Sequence, residues 1–180
     1  MKIKIIEDFI SPEDAEILIS EIIRPSEINP YPDYYADRNG GTAFPYNKRV
    51  MDILRKYAKL SNAVQKEFFQ TEKDVIVTKS FGSGWSAGMS GNPHIDAIEK
   101  EPFIEYSSVI YLNDEYTGGD IYFPKKDFVH SPKKYSAIFF PGNDYEYLHG
   151  VSKIESGNRY TALFMQSTQE EFIDPDFKEC

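Results

Sequence analysis

The strongest constraint on the fold is a change of grammar near residue 73. Downstream, short segments rich in β-branched and aromatic residues follow one another: DVIVTKSF, IEYSSVIYLND, DIYFP, YSAIFFP, YEYLHGV and RYTALFMQS. Such residues fit a pleated, half-buried surface. Clusters of Gly, Pro, Asn and Asp such as NDEYTGGD, PKK, PGND and ESGN bound them and turn the chain. No helical pattern intervenes, so strand should pair with strand antiparallel, in two sheets folded as a sandwich or jelly roll.

Upstream the pattern is mainly helical. Residues 3–10 read as a short strand, and SPEDAEILISEII then opens a helix, with Ser11 as N-cap, Pro12 at the first helical position and acids in the first turn. Ile17, Leu18 and Ile22 give it one apolar face. From Pro25 to Tyr46, turn-forming residues alternate with Tyr31, Tyr34, Tyr35, Phe44 and Tyr46. That is too aromatic for a linker and predicts a structured loop, either a substrate wall or a cap on the barrel. In the stretch from Asn47 to Phe69, Val50, Ile53, Leu54, Tyr57, Leu60, Val64 and Phe68 recur at helical spacing. The expectation is one domain over residues 1–180, mainly β, with a jelly-roll core over about 73–168 buttressed by two helices within about 1–70.

Composition narrows the function. The single cysteine, Cys180, excludes an intrachain disulfide and a cysteine-based zinc site, so any metal must sit on histidine and carboxylate. A net charge of -9 argues against wrapping a phosphate backbone, although Lys125/Lys126 and Lys133/Lys134 offer a local basic patch. MKIKIIEDFI meets charges after a very short apolar run, and no stretch is long enough to span a bilayer. A soluble cytoplasmic protein is the expectation.

On an extended segment, side chains two apart face the same way, so His94 and Asp96 in GNPHIDAIEK can reach one ion while Ile95 packs on the other side. Three histidines and thirteen aspartates among 180 residues would place an aspartate at that offset in roughly one such chain in five, so the pair needs a partner. His130, in DFVHSPKK, reads as an exposed or edge residue. His149, in YEYLHGVSKI, lies in a strand-like segment followed by Gly150, which permits close approach. Two histidines and a carboxylate form the facial set that holds non-haem Fe(II) with positions left open, and zinc fits the same atoms. The alternative is a loop histidine bonded to Asp96 and a half-buried His149. Arg159, with Thr161 on the same strand face, adds a fork and a hydroxyl matched to a carboxylate.

In this order, PHID, SSVIYLNDEYTGGDIYFP, PKKYSAIFFPGNDYEYLHGV and SGNRYTALF resemble the catalytic core of the 2-oxoglutarate and Fe(II)-dependent dioxygenases, most closely the prolyl 4-hydroxylase type. The resemblance is dense from about residue 74 to 167, and IIEDFISPEDAEILISEI is similar to that family's opening. It implies a double-stranded β-helix, the cupin-like jelly roll, with iron held by His94, Asp96 and His149. It implies that Arg159 pairs with the distal carboxylate of 2-oxoglutarate, assisted by Thr161 and by Tyr111 of VIYLND. The implied activity is hydroxylation of a substrate C–H, foremost a prolyl residue of a peptide or protein, with decarboxylation of 2-oxoglutarate to succinate and CO2 and ascorbate as candidate reductant.

The chain departs from the family pattern in places. Arg159 stands where collagen-type members have lysine, and Phe81 where many carry a tyrosine. GSGWSAGMSGNP is longer than usual, and its glycines suggest a mobile lid over 82–91, with Trp85 as its anchor or as a substrate contact. Two rival readings stay open: the same chemistry on a free small molecule or nucleobase, and a jelly-roll module that binds metal or carboxylate without turnover.

Overall fold

The computed structural model describes residues 1–23, 41–42, 44 and 47–180. Helix α1 (Pro12–Ile23) begins at Ser11, whose Oγ accepts from the Asp14 N–H, and it buries Ala15, Leu18 and Ile22 at i, i+3, i+7. Helix α2 (Lys48–Phe69) is capped by Asn47, which accepts from the Val50 N–H, and stops at Gln70 in the left-handed region. Asp14 fastens the two helices, accepting from Tyr57 Oη at 2.7 Å and Lys56 Nζ at 2.8 Å. No helix among the described residues is long and apolar enough to cross a membrane.

The described residues form, in chain order, the strands β1 (Lys4–Ile6), β2 (Gly41–Thr42), β3 (Ile76–Ser86), β4 (Gly91–His94), β5 (Tyr106–Tyr111), β6 (Tyr116–Gly118), β7 (Ile121–Phe123), β8 (Phe128–His130), β9 (Ala137–Pro141), β10 (His149–Val151) and β11 (Ile154–Ser167). They build two antiparallel sheets, a larger one ordered β1-β9-β5-β11-β3-β2 with β6 also on β11, and a smaller one ordered β4-β10-β7-β8. This is the expected double-stranded β-helix, with both helices packed on the larger sheet.

Register decides what each face carries, because residues directly opposite in an antiparallel ladder point the same way. Along β11, Arg159, Thr161, Leu163 and Met165 stand beside Trp85, Ser83, Phe81 and Lys79 of β3, and the last three also beside Tyr111, Val109 and Ser107 of β5. This face lines a cavity of about 550 Å³. The other face, with Ala162, Phe164 and Ile110, packs against α1 and α2. Phe139, Phe140 and Phe164 are fully buried in the two cores, each contributing about 1.5–3 kcal/mol relative to exposure.

Several expectations are corrected. The first strand covers only Lys4–Ile6, because Asp8 turns the chain at φ 53° and the Phe9 and Ile10 N–H groups both donate to Tyr135 O. In α2 the inward stripe does not run through Leu60, which is 44% exposed; past Ala58 it continues at Ser61, Asn62 and Gln65. Those polar residues meet a polar patch of the sheet: Gln65 Nε2 donates to Ser107 O, Ser108 Oγ and Gln166 Oε1, and Gln166 Nε2 donates to Asn62 Oδ1. ESGN is not a turn but the start of β11, bent at Gly157 (φ 78°) where it meets β6. YEYLHGV splits into a 3-10 turn (Tyr145–Tyr147) and β10.

The expected lid is also corrected. Residues 82–86 belong to β3 and pair with β11, leaving only a tight turn at 87–90. The glycine at 82 serves packing: a Cβ there would stand 2.6 Å from Ile22 Cγ1, so the small residue lets α1 sit directly on the sheet. Phe44 is buried in that helix-side core, on the face opposite the cavity, and is no substrate wall. Tyr31, Tyr34 and Tyr35 lie outside the described residues. The two lysine pairs form no bare basic patch, since Lys125 and Lys126 engage Glu146, Lys133 engages Glu7, and Lys134 engages Asp114 and Glu115.

Candidate active site

His94 ends β4 and His149 opens β10, and the two are direct partners in the antiparallel ladder, with ring centroids 4.6 Å apart. Gly150 permits the tight approach of the neighbouring strand: a Cβ there would stand 2.6 Å from the Tyr122 ring. Asp96 lies just beyond β4, where its N–H and that of Ala97 both donate to Gly142 O, at 2.9 and 3.0 Å. At Gly142 a Cβ would stand 2.8 Å from Ser107 Oγ, so a larger residue would displace that hydroxyl. That hydroxyl donates to Asp96 Oδ2 at 2.5 Å. The carboxylate is thus held through its backbone and one oxygen.

His94 Nε2 lies 3.6 Å from Asp96 Oδ1, and His149 Nε2 lies 3.7 Å from Asp96 Oδ2. The three ligand atoms all fall within 4.8 Å of one another. Each Nδ1 faces a backbone carbonyl, Asn92 O at 2.8 Å for His94 and Tyr147 O at 3.2 Å for His149. A carbonyl only accepts, so the proton of each neutral ring sits on Nδ1 and the Nε2 lone pair points inward. Two such nitrogens and one carboxylate oxygen are a donor set that fits a divalent metal, with second bonds that fix the ring orientations.

Electrostatics set the two rings apart. Burial among Phe123, Phe140 and the other imidazole pushes His149 down and keeps it neutral. Burial alone would raise Asp96, but its contacts with the two imidazoles and the Ser107 hydroxyl outweigh it and hold the carboxyl below its usual range. His94, at the cavity mouth, is raised chiefly by its contact with Asp96.

The cavity's other end is built on Arg159, which is only 3% exposed. Its guanidinium carbon lies 5.7 Å from the Trp85 ring centroid and 5.1 Å from that of Tyr111. Thr161 lies one register step along, with Ser83 and Tyr111 as its ladder partners. Leu163, Val109, Ile121 and Met165 supply the apolar lining between the two ends.

Five of the six residues singled out from sequence line one cavity, His94, Asp96 and His149 at one end and Arg159 and Thr161 at the other; Tyr111 is fully buried, with its ring beside the Arg159 guanidinium. His130 stands apart on β8, the edge strand of the smaller sheet. Ile95 contributes to the cavity wall instead of packing behind it. Ser107 and Gly142 were not anticipated. The paired serines in the otherwise apolar SSVIY were a legible signal, whereas the glycine of PGND looked like an ordinary turn residue.

No protein-family model and no curated protein matches the sequence. Solved structures do match the fold. A viral collagen prolyl hydroxylase from Paramecium Bursaria Chlorella virus-1, in its 2OG complex, superposes with TM-score 0.67 at 20% identity, covering 92% of this chain and 95% of that chain. A Pseudomonas putida prolyl-4-hydroxylase gives 0.66 at 16%, covering 92% of both. An oxidoreductase of the 2OG-Fe(II) oxygenase family from Burkholderia pseudomallei gives 0.60 at 16%, covering 73% of this chain and 62% of that chain. The chain has the fold of these oxygenases.

Proposed function

We propose that the chain is a 2-oxoglutarate- and Fe(II)-dependent oxygenase that hydroxylates a C–H bond, with a prolyl residue of a peptide or protein as the favoured substrate. One observation carries the reading: a buried arginine and a two-histidine, one-carboxylate set stand at opposite ends of one cavity. Two of the structural neighbours are named prolyl hydroxylases, which supports the substrate class.

The balanced reaction is 2-oxoglutarate plus O2 plus R–H giving succinate, CO2 and R–OH. His94, Asp96 and His149 would hold the iron, which would supply the O2 activation that couples decarboxylation to hydroxylation. The protein's own part is positional. His94 and His149, each with Nδ1 turned to a backbone carbonyl, would present Nε2 to the ion, and Asp96 would contribute the negative charge that a divalent ion needs. Arg159 orients the cosubstrate from its far end, with Thr161 as a hydroxyl partner and Tyr111 beside the guanidinium. Leu163 and Val109 give the intervening space an apolar wall, and Phe123 and Phe140 pack against His149.

Aerobic incubation with Fe(II), 2-oxoglutarate and ascorbate should release succinate, and a screen of proline-containing peptides should find one that gains a single oxygen. No succinate from the iron-loaded chain would defeat the enzymatic reading in favour of a binding module. Succinate with oxygen transfer only to free small molecules would move the substrate assignment and leave the chemistry standing.

A further inference from the structure

Arg159 and the metal-site residues do not account for the whole cavity. Its wall along β3 runs from Trp85 through Ser83 and Phe81 to Lys79, about 20 Å in a paired strand. 2-Oxoglutarate anchored at Arg159 is far shorter. Lys79 is the ladder partner of Met165, whose other partner is Ser107, the residue that holds Asp96. One rung therefore joins the metal end of the cavity to Lys79, two strand spacings or roughly 10 Å at the backbone.

On that rung Lys79 meets Glu101. The segment between β4 and β5 turns tightly at residues 98–101, where the Glu101 N–H donates to Ile98 O at 2.9 Å, and Ile98 and Ile104 lie on the cavity wall with it. The turn delivers both carboxylate oxygens to Lys79 Nζ, at 3.0 and 3.3 Å. Each side chain is 19% exposed, whereas in every other lysine or arginine pair among the described residues at least one partner is well exposed. Taking two charges out of water costs about what their attraction returns, so stability of the fold does not explain the pair.

Its chemistry points to a ligand. A carboxylate has about four lone-pair sites, so Glu101 can accept further bonds while it keeps both contacts to Lys79. Lys79 already neutralises it, so the acceptor suits an uncharged donor. A free amino acid would have to set its ammonium against Lys79 for the same oxygens; a peptide N–H would not. We propose that Glu101 is a specificity-determining residue that accepts a main-chain N–H flanking the target residue of a peptide substrate, with Lys79 as the positioning residue that holds the carboxylate at the rim. The inference rests on the oxygenase reading and narrows its substrate to a residue within a chain, whose side chain enters past Phe81, Ile98 and Ile104 toward the metal.

The iron-loaded full chain is incubated aerobically with 2-oxoglutarate and a library of end-blocked peptides with a central proline, beside free L-proline, and scored by mass for one added oxygen. In the best peptide each flanking amide is then N-methylated in turn. At one position methylation should raise KM about tenfold with kcat nearly unchanged, as loss of a hydrogen bond to a charged group does. Glu101→Ala should raise KM for the unmodified peptide by the same factor, and methylation should then add nothing. The double variant Lys79→Glu, Glu101→Lys restores an ion pair with the acceptor moved to the other strand; its melting temperature should match the parent's while KM stays raised.

If the parent releases no succinate from 2-oxoglutarate, the oxygenase reading itself falls. If it releases succinate but no peptide gains oxygen, or Glu101→Ala keeps the full methylation effect, or the charge-swapped chain recovers the parent KM, the peptide grip is overturned and the oxygenase reading stands.

Discussion

The two ends of the cavity satisfy their polar groups in different ways. At the histidine end, each Nδ1 has a carbonyl, Asp96 has the Ser107 hydroxyl, and the backbone beside Asp96 is tied to Gly142. Only the inward electron pairs are left for an ion. At the arginine end, two buried N–H groups, Arg159 Nε and Trp85 Nε1, have no hydrogen-bond partner among the described residues. One end is organised before anything binds, so its geometry should hold without ligand. The other carries a desolvation cost that an incoming anion relieves, so its affinity should depend on each donor in turn.

The largest effect should come from removing a member of either end. His149→Ala should weaken binding of Fe(II) or Mn(II) beyond the ~10–100-fold that losing an outer hydrogen-bond partner costs. It should also abolish the visible charge-transfer band expected from anaerobic Fe(II) with 2-oxoglutarate; continued turnover of 2-oxoglutarate by this variant would refute the ligand assignment. Arg159→Ala should cost about 100-fold or more in affinity for 2-oxoglutarate with metal affinity nearly intact, read by calorimetry. Equal loss of metal and cosubstrate would erase the distinction between the ends.

A smaller effect should follow at Ser107. Its hydroxyl fixes one carboxylate oxygen, so Ser107→Ala should lower metal affinity roughly tenfold and leave binding at Arg159 alone. Gln65→Leu acts one layer further out. It removes the donor that α2 sends to Ser107 O, Ser108 and Gln166, and should cost about 1–3 kcal/mol in chemical denaturation with a minor effect on metal affinity.

The smallest effect lies away from both ends and calibrates the rest. Burial would raise Asp14, but hydrogen bonds from Lys56, Tyr57 and Ser11 hold it below its usual value. A depressed folded-state value stabilises above the unfolded one and is lost as pH falls through it, so the α1–α2 clasp should weaken below about pH 4. Asp14→Asn should flatten the acid side of the stability profile and leave both ligand affinities unchanged.

Much of this was legible in the chain because it rests on periodicity and capping. Ser11, Asn47 and the alternating strand residues are local signals. Of the six residues drawn from HID, HGV, RYT and VIY, five lie on strands whose alternation fixes their faces, and Asp96 follows directly on β4. Residues whose role depends on distant contacts were not. Gly82 is decided by α1 and Gly142 by Ser107, partners far away in sequence. Leu60 misled for a related reason: the helix turns a polar stripe inward only because the sheet beneath it is polar there.

β11 has a consequence for ligand size. From Arg159 to Met165 it pairs without interruption to β3, and from Thr161 to Met165 also to β5, whose Ser107 grips Asp96. A paired strand is nearly inextensible, advancing about 3.3 Å per residue. The strand is therefore a ruler whose graduations are backbone hydrogen bonds. Substitutions can alter what grips a ligand at either end, but the span between the grips changes only if the ladder slips. A slip of a single residue would turn Arg159 to the helices.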